Sequence, residues 1–365
     1  MTVRRIHLTF EGNRTVPTLP QDRLFAFARD LFQAGGVGAD EAAVVARSLV
    51  DSNLAGHDSH GVIRVPQYLK ALKDGLLKTG VPLTVLRQTP AALACDGNWG
   101  LGQVQAHRLL QKLEPLAKAA GVAAGTLYQC GHIGRLGEYG EAAAARGFAF
   151  LASVTNHGFG RAVAPPGGVE GRIGTNPLCM AAPTDAGGEA VVLDIGTSVC
   201  AEGKLRVAFN KGESVPEGWL LDADGNPTTD PGTFYRQPPG TILPLGGGQA
   251  YKGFGIGLLL DMLVGGLSGA PCSRPGIGPR SANAVLFLLF DSEHFAGAEH
   301  FRREVNDLAA NVRGSKAKAG ATITLPGDPE RRERARRSAE GIALDAGTWG
   351  QLTALANELR VTPPA

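Results

Sequence analysis

The chain has 365 residues, 36 of them basic and 34 acidic, giving a net charge of +2 at neutral pH. That balance gives no electrostatic reason to expect nucleic acid or an anionic membrane as a partner. With 43% hydrophobic and 19% charged residues, the composition predicts a folded chain with a sizeable core and excludes wholesale disorder.

The opening residues carry two arginines but no apolar h-region, so no secretory signal is expected. Pro20-Gln21-Asp22 leads into a helix whose Leu24, Phe25, Phe27, Ala28, Leu31 and Phe32 recur at helical spacing, ended by Gly35-Gly36. Ala39 to Leu54 reads as a second helix, with Asp40 as its cap and Val44, Val45, Leu49 and Val50 turned inward. A third helix covers Gln67 to Lys73, with Pro66 allowed near its start. From about residue 90, β-like runs alternate with helices: 92–97, 121–129, 148–156, 189–196 and 284–291 as strands, and 103–120, 136–146 and 254–267 as helices. The apolar run 255–267 is interrupted by Asp261 and is too short to span a bilayer. Helices at 300–312, 329–338 and 346–359 follow, with one more strand and turn at Ala321-Thr-Ile-Thr-Leu-Pro-Gly-Asp328. The fold class is therefore α/β (α+β). A helical lobe from both chain ends (1–88 and 297–365) is expected to hold an inserted α/β lobe (89–296).

The usual cofactor motifs are absent. Gly253-x-Gly255-x-Gly257 has the wrong spacing, no strand before it and no ribose-reading acid at the right distance. Gly131-x-x-Gly134-x-x-Gly137 is also off-pattern, and Gly203-Lys204 is not a P-loop. The five cysteines (Cys95, Cys130, Cys179, Cys200, Cys272) contain no CxxC pair, which sets aside zinc-ribbon and redox readings and predicts free thiols in a reducing cytoplasm.

Four segments carry side chains able to do chemistry. In His57-Asp58-Ser59-His60-Gly61-Val62-Ile63-Arg64, an imidazole can deliver a proton and a guanidinium can fork onto a carboxylate; a helix capped by Ser59 would put both on one face. A polar turn with a solvated arginine would look the same, and a zinc pair at His57 and His60 lacks a third ligand. Gly131-His132-Ile133-Gly134-Arg135 joins a strand to a helix start, a setting for an anion or simply for a capped turn. Gly174-Thr175-Asn176-Pro177 is a rigid loop offering polar side chains, and Asp194-Ile195-Gly196-Thr197-Ser198 ends a strand where α/β folds bind ligands. His7, His107, His294 and His300 read as surface or packing residues.

In order, Ser59-His60-Gly61-x-x-Arg64 with Tyr68, Gly131-His132-x-Gly134, Gly174-Thr175-Asn176-Pro177, Asp194-x-x-Thr197-Ser198, Gly203-Lys204, Lys252-Gly253 and Pro326-Gly327 resemble the malate/L-lactate dehydrogenase family. The resemblance implies a non-Rossmann nucleotide fold, a homodimer, and NAD or NADP as cofactor. It implies His60 as proton donor, His132 as a second catalytic histidine, and Arg64, Thr175 and Asn176 on the substrate, a small 2-oxo or 2-hydroxy acid. Cofactor contacts are implied at Gly134, Arg135, Leu136, Asp194, Ile195, Gly196, Thr197, Ser198, Tyr251, Lys252, Asn283, Pro326, Gly327 and Asp328, with no metal. Tyr251 departs from the His or Trp often found there in relatives, and Gly196 from the usual alanine. A cyclic imino-acid reductase uses the same chemistry on C=N and is the alternative. A catalytically silent nucleotide-binding protein has no chemical need for His60, Arg64 and His132 together. The dehydrogenase reading requires the two imidazoles to lie close together and Arg64 to be free of any protein acid.

Overall fold

The computed structural model describes residues 17–185, 190–278 and 282–364. His7 and Glu189, at the start of the expected 189–196 strand, lie outside them. In chain order the elements are β1 (Thr18–Leu19), α1 (Gln21–Ala34), α2 (Ala39–Leu54), α3 (Val65–Lys73), β2 (Thr84–Thr89), β3 (Ala92–Gly100), α4 (Gly102–Ala120) and β4 (Val122–Gly131). Then come α5 (Gly137–Ala145), β5 (Phe148–Thr155), β6 (Leu178–Ala182), β7 (Val191–Ile195), α6 (Glu202–Lys211), β8 (Leu220–Leu221), β9 (Pro227–Thr228) and β10 (Thr241–Ile242). The chain closes with α7 (Ala250–Ser268), β11 (Ala282–Asp291), α8 (Ala298–Arg313), α9 (Asp328–Glu340), β12 (Ile342–Ala343) and α10 (Ala346–Leu359).

The main sheet runs β2-β3-β4-β11-β5-β6-β7. Only β3 and β4 pair in parallel, linked by the α4 crossover; every other neighbour is antiparallel. A doubly wound dinucleotide fold needs consecutive parallel crossovers, so the failed glycine fingerprint and the topology agree.

Strand alternation gives the sheet two unequal faces. On one, Val285, Phe287 and Leu289 of β11 join Phe148 and Phe150 of β5 and Leu127 of β4 against Leu109, Leu113, Tyr139 and Ala143 from α4 and α5. Phe287 packs 5.2 Å from the rings of both Tyr139 and Phe150. The opposite face carries Ala284 and Leu286 under Val264 of α7, while Ile256, Leu259, Met262, Leu263 and Leu267 on the outer side of α7 remain exposed.

A second core joins the chain ends. Leu24, Phe27, Leu31 and Phe32 of α1 pack with Leu49 of α2, Ile342 of β12, and Leu352 and Ala356 of α10, and Leu101 and Val104 bring the start of α4 into it. The β1–β12 pair fastens the ends together. None of the residues of that core comes from α8. The apolar side of α8 (Phe301, Val305, Leu308) lines a cavity of about 520 Å³ with Ala149 and Phe290 at the sheet edge.

Several local expectations change. Asp40 does not cap α2; Gly38 holds the cap position and Asp40 lies in the first turn, where its charge suits the helix dipole. Residues 321–325 form no strand, and the following turn is tied to β7 through Val192 N–H donating to Pro326 O, 3.2 Å. α7 starts at Ala250 and reaches 19 residues, making it, among the described residues, the one helix long and apolar enough to cross a membrane by length and composition. Asp261 does not interrupt it, because its buried carboxylate accepts from Asn176 Nδ2 at 3.0 Å and from Ser273 N at 3.0 Å.

Candidate active site

The 57–64 segment leaves α2 as two single 3₁₀ turns, Asp58–His60 and Val62–Arg64, before α3 begins. Asn53 holds the turns in place. Its Oδ1 accepts from Val62 N–H at 2.9 Å and its Nδ2 donates to Asp58 Oδ1 at 2.7 Å. A Cβ on Gly61 would collide with the Asn53 amide, which is why glycine stands there. Ser59 is thus not a helix cap. Its carbonyl accepts from Arg64 Nε at 2.7 Å, and its hydroxyl lies 3.1 Å from His60 Nδ1. Pro66 falls in the first turn of α3, where its missing N–H costs nothing. From α9, Arg337 donates to Asn53 O at 2.7 Å and to Asp58 Oδ1 at 2.6 Å, and Glu330 meets His57 Nε2 at 3.2 Å.

The 131–137 segment is wedged from behind. Gly102 backs directly onto the carbonyls of Gly131 and His132, leaving no room for a Cβ. Ile133 N–H donates to Asn283 Oδ1 at 2.9 Å, Asn283 Nδ2 donates to Thr155 O at 3.1 Å, and Tyr139 O–H donates to Ile133 O at 2.6 Å. Below it, Ser48 and His107 reach the two oxygens of Glu138 at 2.5 and 2.7 Å, joining α2, α4 and α5.

These segments bring the rings of His60 and His132 together, 5.4 Å between centroids and 24° from parallel. Tyr68 of α3 adds its hydroxyl 2.6 Å from His132 Nδ1. Burial, then the Arg64 guanidinium, then His57 and Arg135, hold the His60 imidazole down to about 3. Burial, Arg64 and His60 hold His132 well below the usual imidazole range. Both rings are therefore neutral near pH 7. Arg64 also donates from Nη1 to Gln67 Oε1 at 2.8 Å, and among the described residues no carboxylate pairs with it. The arrangement offers an anion a guanidinium and two imidazoles in one small space.

A polar strip adjoins this space. Asp194 at the end of β7 accepts from Gly137 N–H at 2.6 Å. Burial pushes its carboxyl up, against the pull of that N–H and of Arg135. Arg135 is 2% exposed; it pairs with Glu141 at 2.7 Å, while its Nε has no hydrogen-bond partner among the described residues. The Val192–Pro326 bond brings the turn 326–328 alongside, with Asp328 Oδ2 accepting from Leu325 N–H at 2.7 Å. Thr197 donates from N and Oγ1 to Thr175 O at 2.9 and 3.0 Å, and its own carbonyl accepts from Leu245 N–H just before α7. Tyr251 and Lys252 are exposed at the start of that helix. Thus Gly134–Arg135, Asp194–Ser198 and Pro326–Asp328 are joined into one neighbourhood. At the start of α6, Gly203 lies against the Cβ of Ser59, beside His60.

Other expected residues turn inward. The Asn176 amide donates to Gly257 O at 2.9 Å as well as to Asp261, committing it to α7 rather than to a ligand. Asn283 spends both ends of its amide on backbone, Leu136 is part of the main core, and Ser198 Oγ donates to Cys200 O at 2.7 Å. No group of three His, Cys, Asp or Glu able to hold a metal occurs among the described residues. Of the remaining histidines, His107 holds Glu138, His294 meets Lys118 O at 2.9 Å, and His300 lies exposed beside Arg303. Sequence reasoning left Tyr68 without a role and missed Asn53 and Gln103; the four-residue step from Arg64 to Tyr68, one turn of helix, was the available signal.

A family model described as malate/L-lactate dehydrogenase matches residues 19–353. Hydroxycarboxylate dehydrogenase B of Escherichia coli K12 is 34% identical over 340 residues, covering 92% of each chain. Among solved structures, the sulfolactate dehydrogenase from Methanocaldococcus jannaschii superposes with a TM-score of 0.85 at 32% identity, over 95% of this chain and 98% of that one. The delta1-piperideine-2-carboxylate reductase from Pseudomonas syringae gives 0.80 at 29% identity, over 93% and 100%.

Proposed function

The chain belongs to the malate/L-lactate dehydrogenase family, and from that premise we propose that it moves a hydride reversibly between NAD(P)H and C2 of a small 2-oxo acid. It is an oxidoreductase acting on the CH–OH group of hydroxy acids. The observation that carries the fuller reading is the stacked His60–His132 pair beside an Arg64 that meets no acid among the described residues.

Bound NAD(P)H supplies the hydride that C2 gains. The chain supplies the rest. Arg64 holds the substrate carboxylate through its planar fork. Burial first and the Arg64 charge second hold His60 low; the bound carboxylate offsets the second, which favours uptake of the proton that His60 delivers. As the C=O π bond opens, His60 gives this proton to the oxygen, which stays on C2 as the product hydroxyl, and the ring returns to neutral. The residues fit a dinucleotide: Arg135 Nε is a buried donor with no partner among the described residues, on a side chain close to Asp194 at the end of β7. Arg135, Asp194–Thr197, Tyr251, Lys252 and the 326–328 turn would hold it.

The exposed α7 stripe supports a homodimer. Leu259 and Leu267 are 60% and 58% exposed, on the side of α7 that no described element covers. A light-scattering mass equal to one chain would oppose this. Five unpaired thiols support a reducing cytoplasm.

The test is a turnover screen with NADH and NADPH against 2-oxo acids and cyclic imines. Oxidation of either cofactor with 2-oxo acids is expected. Turnover on piperideine-2-carboxylate alone would favour the imine reductase, whose reaction a named structural relative carries out. No turnover with any acid or imine would leave only nucleotide binding.

A further inference from the structure

Two hydrogen bonds settle where the proton sits on His132. Its Nδ1 accepts from Gly134 N–H at 3.3 Å, and a backbone N–H can only donate, so Nδ1 bears a lone pair. The Tyr68 hydroxyl 2.6 Å from the same nitrogen must then be a donor too. Its oxygen is in turn free to accept, and it does so from Gln103 Nε2 at 3.2 Å. The chain Gln103 N–H to Tyr68 O–H to His132 Nδ1 has one direction only. In neutral His132 the proton lies on Nε2.

The surroundings keep it there. Tyr68 is 2% exposed, and burial pushes its phenol up to about 12, so it retains the proton it donates. The groups facing His132 are His60 and Arg64 from the 57–64 turns, Tyr68 from α3 and Gln103 from α4; Glu138 of α5 acts on Tyr68 by charge. Of these only the Tyr68 oxygen adjoins Nδ1, and it is already engaged by Gln103 Nε2, while burial and then Arg64 disfavour an imidazolium. By contrast, the neighbour of His60 Nδ1 is the Ser59 hydroxyl, which can donate or accept by rotating.

We propose that Tyr68 is a positioning residue that locks His132 as the Nε2–H tautomer, making it a standing hydrogen-bond donor to the reacting oxygen while His60 alone carries the transferred proton. The lock itself follows from the free protein; only its use on a C2 oxygen rests on the dehydrogenase reading. A fixed donor aimed at developing negative charge stabilises it without reorganising during the reaction.

Nitrogen-15 NMR of the histidine side chains in the full-length, ligand-free protein at neutral pH tests the lock. Wild type should show His132 with a bare Nδ1 and a protonated Nε2. Tyr68→Phe keeps the ring and removes the donor, so both tautomers should appear and the His132 titration should move upward. The same variant should lose about 10-fold in kcat, the scale of one neutral hydrogen bond, with KM for the oxo acid nearly unchanged and the acid limb of the kcat profile displaced. A protonated Nδ1 in wild type, or identical tautomer populations and pH profiles in the two proteins, would overturn the proposal even with turnover intact. A lock that Tyr68→Phe releases in a protein that turns over no acid would support the tautomer assignment and count against the dehydrogenase reading instead.

Discussion

The two histidine-bearing segments are both punctuated by glycine, yet they are held in opposite ways. Residues 131–137 are pinned on several sides: by Gly102 behind, by Asn283 and Tyr139 on the Ile133 backbone, and by Tyr68 on the ring itself. Residues 57–64 hang between two helices as short turns, fastened at Asn53 and by Arg337 reaching across from α9. Among the described residues, the hydrogen-bond neighbour of the His60 ring is a rotatable hydroxyl. The contrast separates two jobs that one histidine would do poorly together. A donor that must wait in register benefits from rigidity, and a group that must gain and lose a proton benefits from an adaptable neighbour.

The sharpest way to break this contrast is His60→Ala. Removing the proton carrier should lower kcat by about 10²–10⁴-fold while cofactor affinity, read by fluorescence titration, changes little. If that loss is no greater than the loss from Tyr68→Phe, the division of labour between the rings fails. Next in size, Arg64→Lys keeps the charge but not the fork. It should cost about 10-fold to 100-fold in kcat/KM, mostly through KM for the acid; a change confined to cofactor Kd would move Arg64 to another subsite. The smallest effect is on stability. Both rings titrate below their unfolded value of 6.5, so on acidification the unfolded chain binds protons before the folded one does. Stability should therefore be full above that range and fall as pH drops from about 7 toward about 3, seen as a declining Tm. His60→Asn should flatten the decline, and an unchanged slope would mean that the ring is not held neutral.

Much of this was legible in the chain. α2 and α10 appear at the boundaries their apolar spacing predicts, and β5 and α4 fall within a residue of theirs, because long amphipathic or strongly apolar runs leave little choice of period. β2 escaped notice since Thr84–Thr89 is almost wholly exposed and has no alternation to read; β6 escaped because Leu178–Ala182 is short and built of small residues. Residues 321–325 have strand-forming composition and run up to the edge strand β7, yet the tie made there is the Val192–Pro326 bond of the following turn, so a local preference lost to tertiary context. At the site, His60, Arg64 and His132 were visible as residue types suited to the chemistry. Asn176 and Asn283 look equally polar in the sequence, yet their amides close gaps between backbone segments far apart in the chain, which no spacing reveals. Tyr68 acts through a ring 64 positions away, a contact that only the folded chain creates.

The core that unites the two chain ends has a consequence for biosynthesis. Leu24, Phe27 and Leu31 emerge from the ribosome first, but Ile342, Leu352 and Ala356, which bury them, emerge last. Through nearly the whole of translation the first helices have one another and the start of α4 to pack on but lack the cover that β12 and α10 supply. The inserted sheet is free of that dependence and can assemble as soon as β11 has left the exit tunnel. Nascent chains stalled before α10 should consequently bind chaperones through their opening segment, and cutting away the last 20 or so residues should harm solubility more than any loop deletion.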